Sequence, residues 1–137
     1  MADRFSPEKR SWVMSRVRSR DTVPERLVRS FLHRRGFRFR LHVSALPGTP
    51  DIVLPKYRTV VFVNGCFWHG HARCRRAALP KTRTAFWRKK IALNVSRDRA
   101  AIKRLATAGW RVLVVWTCQI DDGKSLEKLL RPVLRAR

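Results

Sequence analysis

The sequence predicts a mixed α/β fold, a central sheet of about four strands flanked by helices, and three observations carry that expectation. Thr59 to Val63, an unbroken run of β-branched and aromatic residues, and Trp110 to Trp116, apolar but for Arg111, have the composition of buried strands. Between them, Thr84 to Ala108 carries Trp87, Ile91, Val95, Ile102 and Leu105 at helical spacing, the mark of a long helix with one core-facing side. The whole order reads helix, helix, three strands, helix, strand, helix, which packs most naturally as helices against a mixed sheet.

Each element has a local reason. Ser6-Pro7-Glu8 opens a short basic helix running to about Val17. Thr22-Val23-Pro24-Glu25 is a capping box with proline in the first turn; Leu27, Val28, Phe31 and Leu32 follow at helical spacing until Gly36 stops the helix. Phe37 to Val43 alternates apolar and polar residues, as a half-buried strand does. Turn chemistry at Leu46-Pro47-Gly48-Thr49-Pro50 leads into a strand from Asp51 to Leu54, and Pro55 to Arg58 separates it from the run beginning at Thr59. Asn64-Gly65 ends that strand, an irregular stretch rich in Cys, His and Arg continues to about Lys81, and Gly109 stops the long helix. Ser125 onward reads as a last short helix disturbed by Pro132. No repeat or low-complexity linker divides the chain, so residues 1–137 are expected to form a single domain.

Composition narrows the partner. Thirty-two Lys+Arg against 9 Asp+Glu give a formal charge of +23, with arginine, the better phosphate fork, in excess. A polyanion is the expected partner. With 45% hydrophobic residues, 5 Trp and 7 Phe, the chain can still build a core, unlike an arginine-rich disordered arm. Arg4, Lys9 and Arg10 have no apolar stretch behind them, so no export signal is expected. The longest apolar runs, Val60 to Val63 and Val112 to Trp116, are too short to cross a bilayer, and no helix gathers cations opposite a clean apolar face. The expectation is a soluble cytosolic or nucleoid-associated protein with no membrane partner. Three cysteines without an export signal point to metal binding or burial rather than disulfides.

Candidate chemistry is concentrated in a few places. Cys66-Phe67-Trp68-His69-Gly70-His71-Ala72-Arg73-Cys74 is dense in metal-ligand side chains, and Cys118 follows the last strand. Three thiols plus one imidazole make the four donors of a closed structural zinc site; the alternative is cysteines buried as small hydrophobes. Either His71 or His69 can supply the imidazole, since both spacings from Cys66 make workable loops. The other histidine is then free to act as a general base, a role suited to a side chain that titrates near neutrality. Asp51 opens a buried strand, where a carboxylate needs a cation: either Mg²⁺ bridging to a substrate phosphate or an arginine. Among so few carboxylates, Glu25 and Asp98 also stand out, although Glu25 can serve the capping box with Thr22 and Asp98 can pair with Arg97 or Arg99. The pairs Phe67-Trp68 and Phe86-Trp87 lie in basic sequence, where large flat side chains stack on bases or wedge between them, unless they simply pack in the core.

These stretches together resemble a known family. Arg18-Ser19-Arg20-Asp21-Thr22, Leu46-Pro47-Gly48-Thr49-Pro50-Asp51, Gly65 through His71, Lys81 through Trp87, Asn94 through Asp98 and Gly109 through Leu113 occur in the order found in very short patch repair endonucleases, the bacterial mismatch nicking enzymes. The likeness spans roughly Ser11 to Cys118; the last twenty or so residues add nothing to it. The resemblance implies a restriction-endonuclease-like core, a structural zinc, and Mg²⁺-dependent nicking on the 5′ side of the thymine in a G·T mismatch. It implies Asp51 as the central Mg²⁺ ligand, with the Val63 backbone carbonyl as a second. It makes His69 the general base, with Glu25 and Asp98 supporting waters on the metal or the imidazole. Cys66, His71, Cys74 and Cys118 would hold zinc, while Phe67, Trp68 and Trp87 would wedge into the duplex. Mismatched double-stranded DNA is the implied partner, with other repair proteins as further partners of a monomer in the bacterial cytoplasm.

This chain departs from the family pattern at two points. Asn64 stands where relatives commonly carry a histidine, so a phosphate-contacting imidazole is replaced by an uncharged amide donor. Val63 stands where a threonine occurs in relatives, a change that spares a contact made through the backbone carbonyl. The acid-x-Lys usual on the second strand of the nuclease superfamily is absent from Val60 to Asn64, leaving His69 as the candidate base. The alternatives to a G·T-specific nicking enzyme are a nickase of different mismatch range and a zinc-stabilised DNA-binding protein without catalysis. A binding-only chain has no use for Asp51, His69, Glu25 and Asp98 together.

Overall fold

In the computed structural model, which describes residues 22–120 and 123–136, helix α1 (Val23–Arg34) is followed by strands β1 (Arg40–Leu41), β2 (Ile52–Leu54) and β3 (Thr59–Asn64). Helix α2 (Thr84–Thr107), strand β4 (Arg111–Trp116) and two short helices, α3 (Gly123–Leu129) and α4 (Arg131–Arg135), complete it. The helix expected over Ser6 to Val17 lies outside the described residues. The four strands form one sheet in the order β1-β2-β3-β4. β1 with β2 and β2 with β3 are antiparallel, and β3 with β4 is parallel, the long α2 making the crossover that a parallel pair requires. This is the mixed four-stranded α/β architecture expected from the sequence.

Alternation along the strands divides the core between the two faces of the sheet. On one face Ile52, Leu54, Val61 and Val115 pack with Val28, Phe31 and Leu32 of α1, with Leu126 of α3, with Val133 of α4 and with Leu130 between those two helices. On the other, Val53 and Val60 pack with Leu105 of α2, alongside Phe62, Trp110 and Val112. Each fully buried aliphatic side chain contributes ~1.5–3 kcal/mol. The C-terminal segment, uninformative as sequence, thus closes a core face. Pro132 falls in the first turn of α4, so the chain forms two short helices there rather than one.

Three details differ from the sequence expectation. The alternating stretch Phe37 to Val43 yields only a two-residue strand, because His42 takes a left-handed backbone (φ 48°) that breaks the pleat just after Leu41. Leu27 is exposed, the apolar stripe of α1 being carried by Val28, Phe31 and Leu32. On α2, Ala101 is buried with Trp87, Ile91 and Leu105, whereas Val95 and Ile102 are only half-buried.

The turn before β2 touches α2 directly. Gly48 has φ +76°, and a Cβ there would lie 2.8 Å from the Ala101 Cβ. That atom cannot swing aside, so Gly48→Ala is expected to destabilise the fold by roughly 1–3 kcal/mol through backbone strain and overpacking together. Urea unfolding reads this as a lower midpoint; an unchanged midpoint contradicts the close approach.

Candidate active site and metal centre

Parallel pairing sets Asn64 of β3 beside Trp116 of β4. Two residues further along each chain, Cys66 and Cys118 therefore leave the same end of the sheet side by side. The loop after β3 folds back on itself, the His71 N–H donating to the Cys66 carbonyl at 3.0 Å. One donor atom from each of Cys66, His71, Cys74 and Cys118 lies within 4.8 Å of the other three. His71 stacks flat on Trp116, with centroids 4.1 Å apart and planes at 8°, which fixes the ring. Its Nδ1 is 3.4 Å from Cys118 Sγ, close to the roughly 3.6 Å set by a tetrahedral ion about 2.3 Å from sulfur and 2.1 Å from nitrogen.

The electrostatics of this cluster also fit a cation. Burial opposes ionisation of Cys66, but hydrogen bonds with Thr117, the Cys118 backbone and His71 outweigh it and bring the thiol down to about 6. Burial, with Cys66 and Cys74 beside it, pushes Cys118 up to about 12. One thiolate suppresses the next, and a divalent ion bound by all three removes that conflict.

The second constellation lies where β2 begins beside the end of β3. Asp51 precedes β2, and its Oδ2 accepts the Val63 backbone N–H at 2.7 Å. An open cleft of about 450 Å³ is lined there by His42, Asp51, Val63, Asn64, His69 and Asp98 among others. Burial raises the Asp51 carboxyl to about 6 and nearby Glu25 adds to the rise, against the lowering effect of the Val63 N–H, His42 and His69. Across the cleft, His69 Nδ1 donates to Asp98 Oδ2 at 2.6 Å. That bond places the proton on Nδ1 and the lone pair on Nε2, the state of a ring ready to accept a proton.

Behind Asp51, Glu25 is only 2% exposed. Thr22 caps α1 by accepting the Glu25 backbone N–H at 3.3 Å, while the Glu25 carboxylate meets Arg29 and, at 2.8 Å, His42 Nε2. His42 Nδ1 faces Asp51 Oδ1 at 3.8 Å. Asp98, on α2, meets His69 rather than depending on its helix neighbours.

Phe67, Trp68 and Trp87 form one cluster of edge-to-face rings, with centroids 5.3 Å apart for Phe67 and Trp68, 5.6 Å for Phe67 and Trp87, and 5.9 Å for Trp68 and Trp87. Phe67 and Trp68 are half-buried, whereas Trp87 is 5% exposed and forms the floor beneath them. Asn94 of α2 donates its side-chain N–H to the Trp68 carbonyl at 3.1 Å, and Lys90 stands 5.8 Å above the Trp68 ring.

The structure thus gathers the sequence candidates into three groups: Asp51, His69 and Asp98 in the cleft with Glu25 behind it, the four Cys and His donors, and the aromatic cluster of Phe67 and Trp68 on the loop with Trp87 on α2. His42 and Asn94 were missed. His42 sits in no ligand-like spacing, and only its left-handed backbone turns it towards Glu25 and Asp51; Asn94 acts through a carbonyl, which leaves no pattern in a sequence.

Residues 2–76 match the model of the DNA mismatch endonuclease Vsr family. The chain belongs to this family. It is 54% identical over 134 residues to the type II nicking enzyme V.XorIIP of Xanthomonas oryzae pv. oryzae, covering 98% of each chain. It is 44% identical over 135 residues to the type II nicking enzyme V.NmeAIP of Neisseria meningitidis serogroup A, covering 98% of this chain and 96% of that one. It is also 44% identical over 137 residues to the DNA mismatch endonuclease Vsr of Escherichia coli K12, covering all of this chain and 85% of that one. In this Vsr-family chain the mixed sheet supplies the restriction-endonuclease-like core.

The Asp51 environment has a thermodynamic consequence. Its carboxyl keeps its proton to about pH 6 when folded, against an ordinary value of 3.8, so the folded chain binds more protons across that window and loses stability as pH rises through it. With no divalent cation added, Asp51→Asn should therefore be more stable than the parent at pH 7.5 by about 1–3 kcal/mol, the gain shrinking towards pH 4. Chemical denaturation at the two pH values measures this; an Asn variant no more stable at pH 7.5 contradicts burial as the dominant influence on Asp51.

Proposed function

We infer that this protein is a mismatch-specific DNA nicking endonuclease that hydrolyses the phosphodiester on the 5′ side of the thymine in a G·T mismatch, with Mg²⁺ as its catalytic ion. The observation that carries the reading is the meeting, in one open cleft, of a carboxylate with a raised pKa and a carboxylate-oriented histidine. Family membership supplies the reaction class: the relatives named above are nicking enzymes and a mismatch endonuclease.

Asp51 and the Val63 carbonyl would hold Mg²⁺, which supplies Lewis-acid polarisation of the scissile phosphate and neutralises charge as the ester breaks. His69 takes a proton from the attacking water through Nε2, and Asp98, bonded to Nδ1, stabilises the imidazolium that results. The water oxygen bonds to phosphorus, the bond to the 3′ oxygen breaks, and that oxygen leaves with a proton from solvent. The products are a 3′ hydroxyl and a 5′ phosphate. Glu25 supports the site from behind, through His42. Asn64, 6% exposed on the cleft wall, offers an amide in place of the family's imidazole, which favours a somewhat different phosphate grip and mismatch range.

Zn²⁺ is the ion that three thiolates and an imidazole suit best, held by Cys66, His71, Cys74 and Cys118 as a structural clamp. The clamped loop presents Phe67 and Trp68, backed by Trp87, as a wedge. A wobble pair is poorly stacked, so inserting rings beside it costs less than at a matched step, and deformability becomes selectivity. The charge of +23 holds the phosphates in a salt-dependent way, in the bacterial cytoplasm where the DNA lies.

Asp51→Ala is expected to abolish Mg²⁺-dependent nicking of a G·T duplex while leaving binding to that duplex near the parental level; parental nicking by this variant would refute the assignment. Trp68→Ala is expected to lose on the order of tenfold in preference for mismatched over matched duplex, with little loss of affinity for matched DNA. Competition binding measures both, and equal losses on the two duplexes would remove the wedge.

A further inference from the structure

We propose that His42 is an additional metal ligand of the cleft, donating Nδ1 to the cation held by Asp51 while Glu25 orients its ring. This nitrogen gives the site a higher relative preference for Mn²⁺ over Mg²⁺ than oxygen ligands alone would. The proposal rests on the reading of Asp51 as a metal ligand.

The hydrogen bonding around the ring assigns the proton. His42 Nε2 lies 2.8 Å from Glu25 Oε1, and Arg29 Nη2 lies 3.0 Å from the same Nε2. Two donors sharing one carboxylate oxygen sit this close, since Arg29 also donates to Glu25 Oε1. The Nε2–H therefore points at Glu25, which in the neutral ring leaves the lone pair on Nδ1. A carboxylate on one ring nitrogen and a metal on the other is the arrangement that fixes the tautomer and raises the basicity of a metal-bound histidine.

Nδ1 in turn faces an oxygen. It lies 3.8 Å from Asp51 Oδ1, while the other Asp51 oxygen is occupied by the Val63 N–H. With the ring neutral and Asp51 ionised these two acceptors repel, and a cation between them removes that conflict. The gap is within the about 4.2 Å that two donors can span across an ion about 2.1 Å from each. One ligand atom from each of Glu25, His42 and Asp51 lies within 4.8 Å of the others. The left-handed backbone at His42 and its N–H bond to the Asp51 carbonyl, 3.1 Å, hold the imidazole beside the aspartate. Mg²⁺ is hard and keeps oxygen ligands, whereas a first-row transition ion gains more from imidazole.

The test uses the full-length chain with its thiolate cluster loaded with zinc, and Mn²⁺ and Mg²⁺ as probes in the absence of DNA. Pulsed EPR of bound Mn²⁺ should show modulation from one directly coordinated nitrogen, and that modulation should vanish in His42→Gln. Mn²⁺ affinity should fall on the order of tenfold in His42→Gln, with Mg²⁺ affinity, read by competition, changing less than about threefold. Absence of nitrogen modulation in the parent chain overturns the proposal whether or not the variant folds. So does its persistence in a folded His42→Gln, or an equal loss for both ions. Asp51→Asn separates the two readings. If it releases Mn²⁺ while His42→Gln does not, only the role of His42 fails; if it leaves Mn²⁺ bound, the assignment of Asp51 fails as well.

Discussion

Six residue pairs between β3 and β4, from Thr59 with Arg111 to Asn64 with Trp116, hold the two parts of the site in place. Because the strands are parallel, the chain leaves both at the same end of the sheet, and Cys66 and Cys118 emerge there as neighbours. Because β2 runs antiparallel to β3, Asp51 at the start of β2 arrives at that same end, close enough for its carboxylate to accept the Val63 N–H. A slip of one residue in the β3–β4 register would put alternate faces of these strands into the wrong cores and separate the two cysteines. The Cys and His cluster, the cleft and the core are thus consequences of one pairing.

The loop after β3 compresses several roles into nine residues. Cys66, His71 and Cys74 belong to the cluster, Phe67 and Trp68 to the aromatic group, and His69 to the cleft. A Cβ at Gly70 would come within 2.9 Å of Ile91 and Val95, so the loop lies directly on α2. α2 in return supplies Asp98 to His69, Asn94 to the Trp68 carbonyl and Trp87 beneath the rings. Whatever orders this loop orders the His69 ring and the aromatic cluster together, and under the proposed function that would tie mismatch recognition to cutting. Among the chain's few carboxylates, Glu25, Asp51 and Asp98 each face an imidazole.

What was legible in the sequence was whatever side-chain type or periodicity announces. β3, β4 and α2 follow from β-branched runs and a 3.6-residue stripe, and the cluster of Cys and His follows from donor chemistry. Spacing left His69 and His71 interchangeable; the difference is geometric, one ring lying flat on Trp116 among thiols and the other bonded to Asp98 on a helix 29 residues away. The alternation from Phe37 to Val43 misled because a single left-handed residue, His42, overrides a pattern that assumes continuous pleat. That same residue became the least legible part of the site, since its neighbours Glu25 and Asp51 come from the far sides of a helix and a turn.

A nicking assay on otherwise identical duplexes carrying each mismatch, with Mg²⁺ and with EDTA, tests the proposed chemistry at the cleft most directly. The prediction is a single-strand break mapped to the 5′ side of the thymine, strongest at G·T, dependent on Mg²⁺ and lost in EDTA. Equal cutting of matched and mismatched duplex, breaks in EDTA at the same rate, or no break at any mismatch would contradict it.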